Sequence, residues 1–403
     1  MALNSRFRKF GVIASFLLAT TFTTLAANAA SLRIYHSPYS GVDWETTARI
    51  KAMHHDHPAA KLPSIRAYDD AGYQAMSLMD YSGAPALTYA LKRRLWPPES
   101  AGIDADFRAK LKNLKIFIPN AEEVGIGNFH MTSPFLTTFI SKYNPDSGAP
   151  QTSTEYDDPQ QLIDVIASNG GVPIIAHPWY ETSMYTVLKR FRGMEIYSAF
   201  AETKQTQGDP FFTKNDKNAQ MVALWDLFLA SNQNIIGIAA NDHFGPDAVP
   251  ATTDARSQDS GKIIVFAKNV TLAEYRRAFE AGSLVAVRDI GVKKDQYPSL
   301  TSITVDPASV SIETNGVVRW VGNGRTLGTG PTLDYSSIPS GTTYVRAEIS
   351  NSEGSTLYTQ AFSVRPVGDA NGDGVVDRRD TDICARVRGG QDTDPDHSAA
   401  CAG

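Results

Sequence analysis

Residues 171–178 read GVPIIAHP, a short apolar run that ends in a histidine and a proline. Apolar and β-branched residues in a run of this length, bounded by glycine and proline, predict a buried β-strand. Comparable runs recur between about residue 45 and residue 290, separated by stretches with helical spacing. They are LKIFIPN (114–120), MEIYS (194–198), NIIGIAAND (234–242) and KIIVFAKN (262–269). Strands that alternate with helices are typical of a parallel α/β fold, so we expect this class.

Histidines are scarce, eight in 403 residues, and several lie in short patches together with a carboxylate or a second histidine. These patches are His54-His55-Asp56-His57, Glu122-Glu123 followed by His130, His177, and Asp242-His243. Imidazole and carboxylate groups are ligands of zinc, manganese and iron. Because strand ends that are far apart in sequence converge at one rim of an α/β barrel, we expect these patches to meet there and share cations.

The residue types indicate how two cations would be held. Successive side chains of an extended segment alternate between its two faces, so His55 and His57 point the same way and can bind one cation together. The carboxylate of Glu122 can bridge both cations, and His130 and His177 would complete the second site. Asp242 can close the first site, and His243 can reach a neighbouring position. Paired cations lower the pKa of a bound water and neutralise charge on a phosphoryl group, so the predicted chemistry is phosphate-ester hydrolysis.

The order of the patches resembles the polymerase and histidinol phosphatase (PHP) superfamily of metallo-phosphoesterases. The matching segments are KAMHHDHP (51–58), GYQAMSLMDYSG (72–83), IPNAEEVGIGNFHM (118–131), GVPIIAHPWY (171–180) and GIAANDHFG (237–245). The resemblance implies a distorted (β/α)7 barrel that holds two or three zinc, manganese or iron ions. It also implies metal ligation by His55, His57, Glu122, His130, His177, Asp242 and His243, of which Glu122, Asp242 and His243 are the expected catalytic residues.

Two details of the motifs leave alternatives open. Either Glu122 or Glu123 can fill the family's glutamate position, and we prefer Glu122. The family normally has Thr-Asp-His after its second strand, whereas this chain has Met79-Asp80-Tyr81, so a third-site histidine is replaced by a phenol. We therefore expect a two-metal centre, with a third cation weak, absent, or held partly by Tyr81 or Asp80.

The expected substrate is a phosphorylated small molecule or a phosphodiester. One alternative is another metal-assisted hydrolysis, because the same ligand types serve those reactions. A second is a non-catalytic adaptor built on a degenerate barrel. A formal net charge of -5 and a pI near 5.9 argue against general attraction to nucleic acid or to anionic membranes.

The N-terminus has the pattern of a secretory signal peptide. Basic residues at 6, 8 and 9 precede an apolar stretch that reaches about Leu25, and a small-x-small pattern follows at Ala27-Asn28-Ala29. The stretch is short and contains several threonines, which disfavours a membrane anchor. We expect residues 1–29 to be removed and the mature protein to be secreted or periplasmic, with no membrane span.

Beyond Leu300 the pattern changes to period-two runs with Asn-Gly and glycine-rich turns, which predicts antiparallel strands. We expect four parts: the signal peptide, a metal-dependent hydrolase barrel (30–298), a small β-sandwich (299–366) and an acidic tail (367–403). Both cysteines, Cys384 and Cys401, lie in the tail, where an exported chain can form a disulfide.

The tail begins with a sequence that predicts a calcium loop. Oxygen donors stand at positions one, three, five, nine and twelve, a glycine stands at six, and a backbone carbonyl serves at seven. The residues are Asp369, Asn371, Asp373, Val375 (carbonyl), Asp377 and Asp380, with Gly374 as the glycine. The Val at eight, the Asp at twelve and the helical run that follows resemble a dockerin repeat, which implies calcium and a scaffold partner bearing a cohesin. Dockerins usually carry two repeats and this chain has one, so the loop could instead only order the C-terminus.

Overall fold

The computed structural model describes residues 32–58, 61–77, 79–82, 102–119, 121–126, 129–138, 140, 158–179, 183–214, 216–242, 244–245, 260–291, 295–394, 397 and 400–401. The expected signal peptide and His243 lie outside the described residues, and so do the side chains of Asp80 and Tyr81. Within the described part of the chain, no helix is long and apolar enough to cross a bilayer.

The first part of the chain alternates strands and helices. Its strands are β1 (Leu32–His36), β2 (Ala48–Met53), β3 (His57–Pro58), β4 (Ala75–Ser77), β5 (Asp80–Ser82), β6 (Ile116–Ile118), β7 (Glu122–Ile126), β8 (Phe129–Ser133), β9 (Ile174–Ala176), β10 (Gly193–Ser198), β11 (Ile236–Ala240), β12 (Phe244–Gly245), β13 (Gly261–Ala267) and β14 (Leu284–Arg288). Its helices are α1 (Lys61–Asp70), α2 (Ala105–Ala109), α3 (Pro159–Ser168), α4 (Ser183–Thr186), α5 (Ala199–Thr206), α6 (Pro210–Thr213), α7 (Lys217–Ala230) and α8 (Leu272–Ala281).

The second part is built from strands, with one helix in the tail. The strands are β15 (Leu300–Val305), β16 (Ser309–Thr314), β17 (Val317–Gly322), β18 (Arg325–Thr329), β19 (Thr332–Asp334), β20 (Tyr344–Ser350), β21 (Thr356–Thr359) and β22 (Phe362–Pro366). A 3-10 turn spans Tyr335–Ser337, and the tail helix is α9 (Arg378–Arg388).

Two large sheets organise the strands. The first has the order β1-β22-β20-β21-β14-β13-β2-β4-β6, with β17 beside β20 and β18 beside β17, and the second has the order β11-β10-β9-β8-β7-β5. Apolar side chains from both sheets form one shared core, which includes Ile50 on β2, Ile238 on β11 and Ile263 on β13. This packing brings the C-terminal ends of β2, β9 and β11 toward one another.

The expected parallel (β/α)7 barrel is not formed by the described strands. β2, β4 and β6 are parallel, and so are β9, β10 and β11, but β13 is antiparallel to β2 and β14, and β8 is antiparallel to β7 and β9. Their hydrogen bonds give a mixed α/β arrangement of open sheets, with no closed barrel among the residues that the structure describes. One physical reason for the mixed sheet is the short connection between β7 and β8. A parallel pair would require a crossover helix between the two strands, so these strands form an antiparallel hairpin.

Helices begin where the sequence supplies a capping side chain. Asp216 accepts a hydrogen bond from the N–H of Ala219 at the start of α7, and Thr271 accepts one from the N–H of Glu274 at the start of α8. Such an oxygen satisfies an N–H that the first turn leaves without an intrahelical partner. α7 then packs against β10, so its capped end lies at the C-terminal end of that strand.

The second part packs as two layers around its own core. The sheet β15-β16-β19 faces β17, β20 and β22, and the core between them is centred on the fully buried Trp320. Hydrogen bonds cross the boundary expected near residue 298, because β14 pairs with β21 and β1 pairs with β22. The N-terminal strand therefore belongs to the same layer as the last one.

Candidate metal centre

The predicted patches converge at one rim of the paired sheets. His55 and His57 follow β2, His177 follows β9, and Asp242 follows β11. The remaining two members of the cluster are on the β7–β8 hairpin, where Glu123 and His130 stand on neighbouring strands. Apart from His130, which is half-buried, these side chains are buried.

One group of four side chains surrounds the end of β2: His55, His57, Glu123 and Asp242. The Nε2 atoms of His55 and His57 lie 3.0 Å apart. Glu123 Oε2 lies 3.4 Å from His55 Nε2 and 2.9 Å from His57 Nε2. Asp242 Oδ1 lies 3.4 Å from His55 Nε2 and 3.9 Å from His57 Nε2. We call these four residues the first group.

Glu123 also belongs to a second group, with His130 and His177. Its Oε1 atom lies 2.7 Å from His130 Nδ1 and 3.1 Å from His177 Nε2. Since Oε2 faces the first group and Oε1 faces the second, one carboxylate connects the two. This is the arrangement of a carboxylate that bridges two cations.

Among the described residues, the two groups of clustered ligand atoms contain Glu123 and not the preferred Glu122. Adjacent side chains on a strand point to opposite faces, and within the described part of the chain it is Glu123 that clusters with the histidines. Glu122 Oε2 instead accepts a hydrogen bond from the N–H of Ile140 at 2.8 Å. The alternative glutamate position that the motif left open is therefore the one that meets the other predicted residues.

The donor atoms fit divalent cations. Bonds from zinc to imidazole nitrogen or carboxylate oxygen are about 2.0–2.2 Å long, so two ligands of one tetrahedral ion lie roughly 3.4 Å apart. The separations in the first group run from 2.9 to 3.9 Å and bracket that value. Asp242 Oδ1 is buried and accepts no hydrogen bond from the described residues, which leaves it available to a cation.

Burial and neighbouring charges shift the pKa values of the clustered side chains. Burial would raise the pKa of Glu123, but His130 and His55 hold it well below its usual value. Burial would lower the pKa of His55 and of His177, but the surrounding carboxylates raise both above the ordinary histidine value. The buried carboxylates thus require positive charge, which protons supply here and which a divalent ion can supply in their place.

Glu195 is a functional candidate that sequence reasoning missed. It lies within β10 and is fully buried, and its Oε1 atom is 2.6 Å from Nδ1 of His55. Its Oε2 atom accepts a hydrogen bond from the N–H of His177 at 2.7 Å. A carboxylate behind a ligating histidine fixes the ring's tautomer and orientation. The available signal was an acidic residue inside an otherwise apolar strand, MEIYS, because burying such a charge is costly without a partner.

The backbone is constrained at the same place. His177 and Asp242 have positive φ values of 27° and 57°, which are uncommon for residues with a side chain. Such conformations persist where surrounding structure enforces them and are frequent at functional sites. Gly125 faces His130 across the hairpin, and a Cβ atom there would lie 2.9 Å from Nε2 of that ring. The hairpin therefore needs glycine at this position to seat His130.

His54, next to the first group, has a structural role. Its Nε2 atom lies 2.9 Å from the hydroxyl oxygen of Thr132, and its ring stacks on Phe279 with centroids 5.7 Å apart. Burial lowers its pKa to about 3, so it stays neutral. These contacts are those of a histidine packed into the core.

In the tail loop, two aspartate side chains accept hydrogen bonds from backbone N–H groups. The carboxylate of Asp369 accepts hydrogen bonds from the N–H groups of Gly372 and Gly374, at 2.8 and 2.9 Å, and both glycines have positive φ. Asp380 accepts from Ala370 and Asn371 at its Oδ1 atom. Among the described residues, the loop's carboxylates do not form a third group of clustered ligand atoms. Cys384 and Cys401 form a disulfide that closes the tail.

Fold and site together define a mixed α/β protein with a buried histidine and carboxylate cluster suited to more than one divalent cation. No protein-family model matches the sequence, and no curated protein matches it. Among solved structures, the chain is similar to a two-domain protein from Bacteroides vulgatus that contains a predicted PHP-like metal-dependent phosphoesterase. The alignment has 14% sequence identity and a TM-score of 0.41, and it covers 80% of this chain and 88% of that one.

Proposed function

We propose that this protein is a metal-dependent phosphoric ester hydrolase with a two-cation centre. The observation that carries the proposal is the position of Glu123 between the two groups, with one carboxylate oxygen facing each. A shared carboxylate between two clusters of imidazoles is the donor arrangement of a two-metal site. The PHP-like order of the motifs along the chain supports phosphate esters as the substrate class.

Each cation would have its own set of ligands, with one residue shared. His55, His57 and Asp242 would hold one cation, His130 and His177 the other, and Glu123 both. Bound cations of this kind activate water and stabilise the charge that develops on a transferring phosphoryl group. Glu195 would keep His55 in the tautomer that presents Nε2, because it accepts the proton of Nδ1.

A direct test combines metal analysis with turnover. Purified protein loaded with manganese or zinc is expected to bind two ions per chain and to hydrolyse a chromogenic phosphomonoester or phosphodiester. His177→Ala should abolish turnover and remove one ion, while His397→Ala, in the tail, should change neither. Hydrolysis is refuted if the loaded protein is inert toward both esters with every metal tried.

That negative result would favour the adaptor alternative, provided that two ions still bind. Turnover of an amide or acetyl ester but of neither phosphate ester would favour the other class of metal-assisted hydrolase. A third ion bound as tightly as the first two would show that His243, Tyr81 or Asp80 completes a further site. Each outcome is separable because metal content and turnover are measured on the same sample.

For the tail, we propose that the loop from Asp369 to Asp380 binds calcium. The side chains of Asp369 and Asn371 already accept hydrogen bonds from the N–H groups of Gly372 and Asp373, and the loop's glycines supply the left-handed conformations of such loops. Calcium should raise the melting temperature of the tail, and Asp373→Ala should remove that effect, whereas Asp382→Ala on α9 should not. A calcium-dependent complex with a cohesin would support the dockerin interpretation, and its absence would leave only the ordering role.

We also propose export, on the pattern of residues 1–29. N-terminal sequencing of protein recovered outside the cytoplasm should begin after Ala29. A full-length N-terminus on that protein would contradict the assignment.

A further inference from the structure

Lys217 is a buried lysine that the metal centre does not use. Only 6% of the residue is exposed, although lysine is among the residues least often buried without a partner. Its ammonium donates to the carbonyl of Trp179 at 3.2 Å and to the side-chain oxygen of Gln220 at 3.4 Å, and it lies 4.1 Å from the centroid of the Phe211 ring. The contacting groups are two neutral oxygens and an aromatic ring. They stabilise the positive charge of Lys217 but do not neutralise it.

Two acidic side chains beside the start of α7 are engaged elsewhere. Asp216 caps α7 by accepting from the N–H of Ala219 at 3.0 Å. Glu202 pairs with Arg288 at 3.1 Å. Lys217 is also the first residue of α7, where the helix dipole is positive and a cation is unfavourable. Two sources of positive charge therefore coincide at a buried position.

Trp179 links this position to the second group of ligands. The ring of Trp179, whose carbonyl accepts from Lys217, stacks on His177 with centroids 4.4 Å apart and an interplanar angle of 18°. The next residue of α7, Asn218, accepts a hydrogen bond from the N–H of Ser198 at the C-terminal end of β10. The start of α7 is thus fixed to the rim that carries the cluster.

From these contacts we infer that Lys217 is a specificity-determining residue, which binds an oxygen of the substrate's phosphate group beside His177. An ammonium has three N–H donors, and the described contacts use two of them, so one can reach an anion. Burial lowers the pKa of Lys217, and an anion beside it would offset that penalty. A charge-assisted hydrogen bond in a desolvated place is stronger than a neutral one. The inference rests on the proposed phosphoesterase function.

The test measures phosphate binding separately from turnover. Inorganic phosphate is titrated calorimetrically into manganese-loaded wild type, Lys217→Met, Lys217→Arg and Lys214→Met, with metal content and melting temperature recorded for each. Lys214 is the matched control, because it is an exposed lysine just before α7. Lys217→Met should weaken phosphate binding roughly tenfold or more at unchanged metal content, with Lys217→Arg recovering part of the loss.

The outcomes separate the two proposals. If Lys217→Met and Lys214→Met bind phosphate as tightly as wild type while the ester is still turned over, the role of Lys217 is refuted and the phosphoesterase stands. If loaded wild type neither binds phosphate nor turns over esters, both proposals fail. If Lys217→Met raises KM for the ester with kcat retained, the lysine acts in substrate recognition as inferred. A loss of metal in Lys217→Met with recovery in Lys217→Arg would overturn it in favour of a structural role.

Discussion

Glu195 Oε1 lies 2.6 Å from Nδ1 of His55, and the same carboxylate accepts the backbone N–H of His177. One side chain thus orients parts of both ligand groups from behind. In Glu195→Gln the amide can still accept one of these hydrogen bonds, but its NH2 group then faces the other donor. We expect metal affinity to fall about 10- to 100-fold with the fold intact, measured by competition with a chelator. Glu313→Gln, on an exposed face of β16, is the control and should leave affinity unchanged.

Glu123 and Glu122 provide a test in which adjacent residues of the same type should behave differently. Glu123→Gln removes a bridging charge, so we expect both ions to bind much more weakly. Glu122→Gln should keep both ions, because its carboxylate accepts the N–H of Ile140 and is not a member of the ligand groups found among the described residues. Metal content per chain after dialysis checks this. Equal loss of metal in both variants would contradict the assignment of the bridge to Glu123.

Gly125→Ala should disturb the second group through sterics alone. A Cβ atom at residue 125 would lie 2.8 Å from Cδ2 of His130, closer than real Cβ atoms come to other atoms. We expect the His130 ring to move and one ion per chain to be lost. Gly328→Ala is the matched control, because nothing lies within 4 Å of its Cβ position. If Gly125→Ala retains two tightly bound ions, His130 does not need the position that the structure gives it.

The sequence was sufficient to locate most of the site. His55, His57, His130, His177 and Asp242 were each predicted, and they meet in space because the ends of β2, β9 and β11 converge with the β7–β8 hairpin. The choice between Glu122 and Glu123 could not be made, since a one-residue shift in register moves a side chain to the other face of a strand. Glu195 was missed because a single acid within an apolar strand has no periodic pattern to mark it.

The sequence also does not determine whether neighbouring strands pair in parallel or antiparallel. Runs such as KIIVFAKN predict a strand, and β13 is a strand. A run of three to seven apolar residues does not indicate whether the neighbouring strand is parallel or antiparallel to it. A barrel was expected from the family resemblance, and the antiparallel β13 and the β7–β8 hairpin give a mixed arrangement instead. Likewise the period-two pattern after Leu300 predicted antiparallel strands, but not that β21 would pair with β14.

The two parts of the chain are joined by a buried ion pair. Arg346 on β20 donates from Nε and Nη2 to the carboxylate of Asp226 on α7, at 2.7 and 2.9 Å, and the arginine is 1% exposed. Asp226→Ala removes two charge-assisted hydrogen bonds but leaves Arg346 paired with Glu348 at 2.7 Å, so the free energy of unfolding should fall by about 1.5–3 kcal/mol. Urea denaturation measures this. Asp164→Ala, which breaks the exposed pair with Arg190, should cost less than about 1 kcal/mol.

Acid sensitivity should depend in part on Asp69, which lies far from the metal centre. Burial would raise the pKa of this carboxyl, but the N–H groups of Leu114, Lys112 and Asn113 all donate to it and hold the pKa below its usual 3.8. Since the folded pKa is depressed, the stabilisation is fully present above pH 3.8 and is lost as the pH falls through the folded value.

In Asp69→Asn the side chain has no charge at any pH, and its NH2 group opposes the donors. The difference in unfolding free energy between wild type and Asp69→Asn should therefore be constant from pH 5 to 7 and shrink below about pH 4. A difference that stays constant to pH 2 would show that the charge of Asp69 adds nothing to its hydrogen bonds.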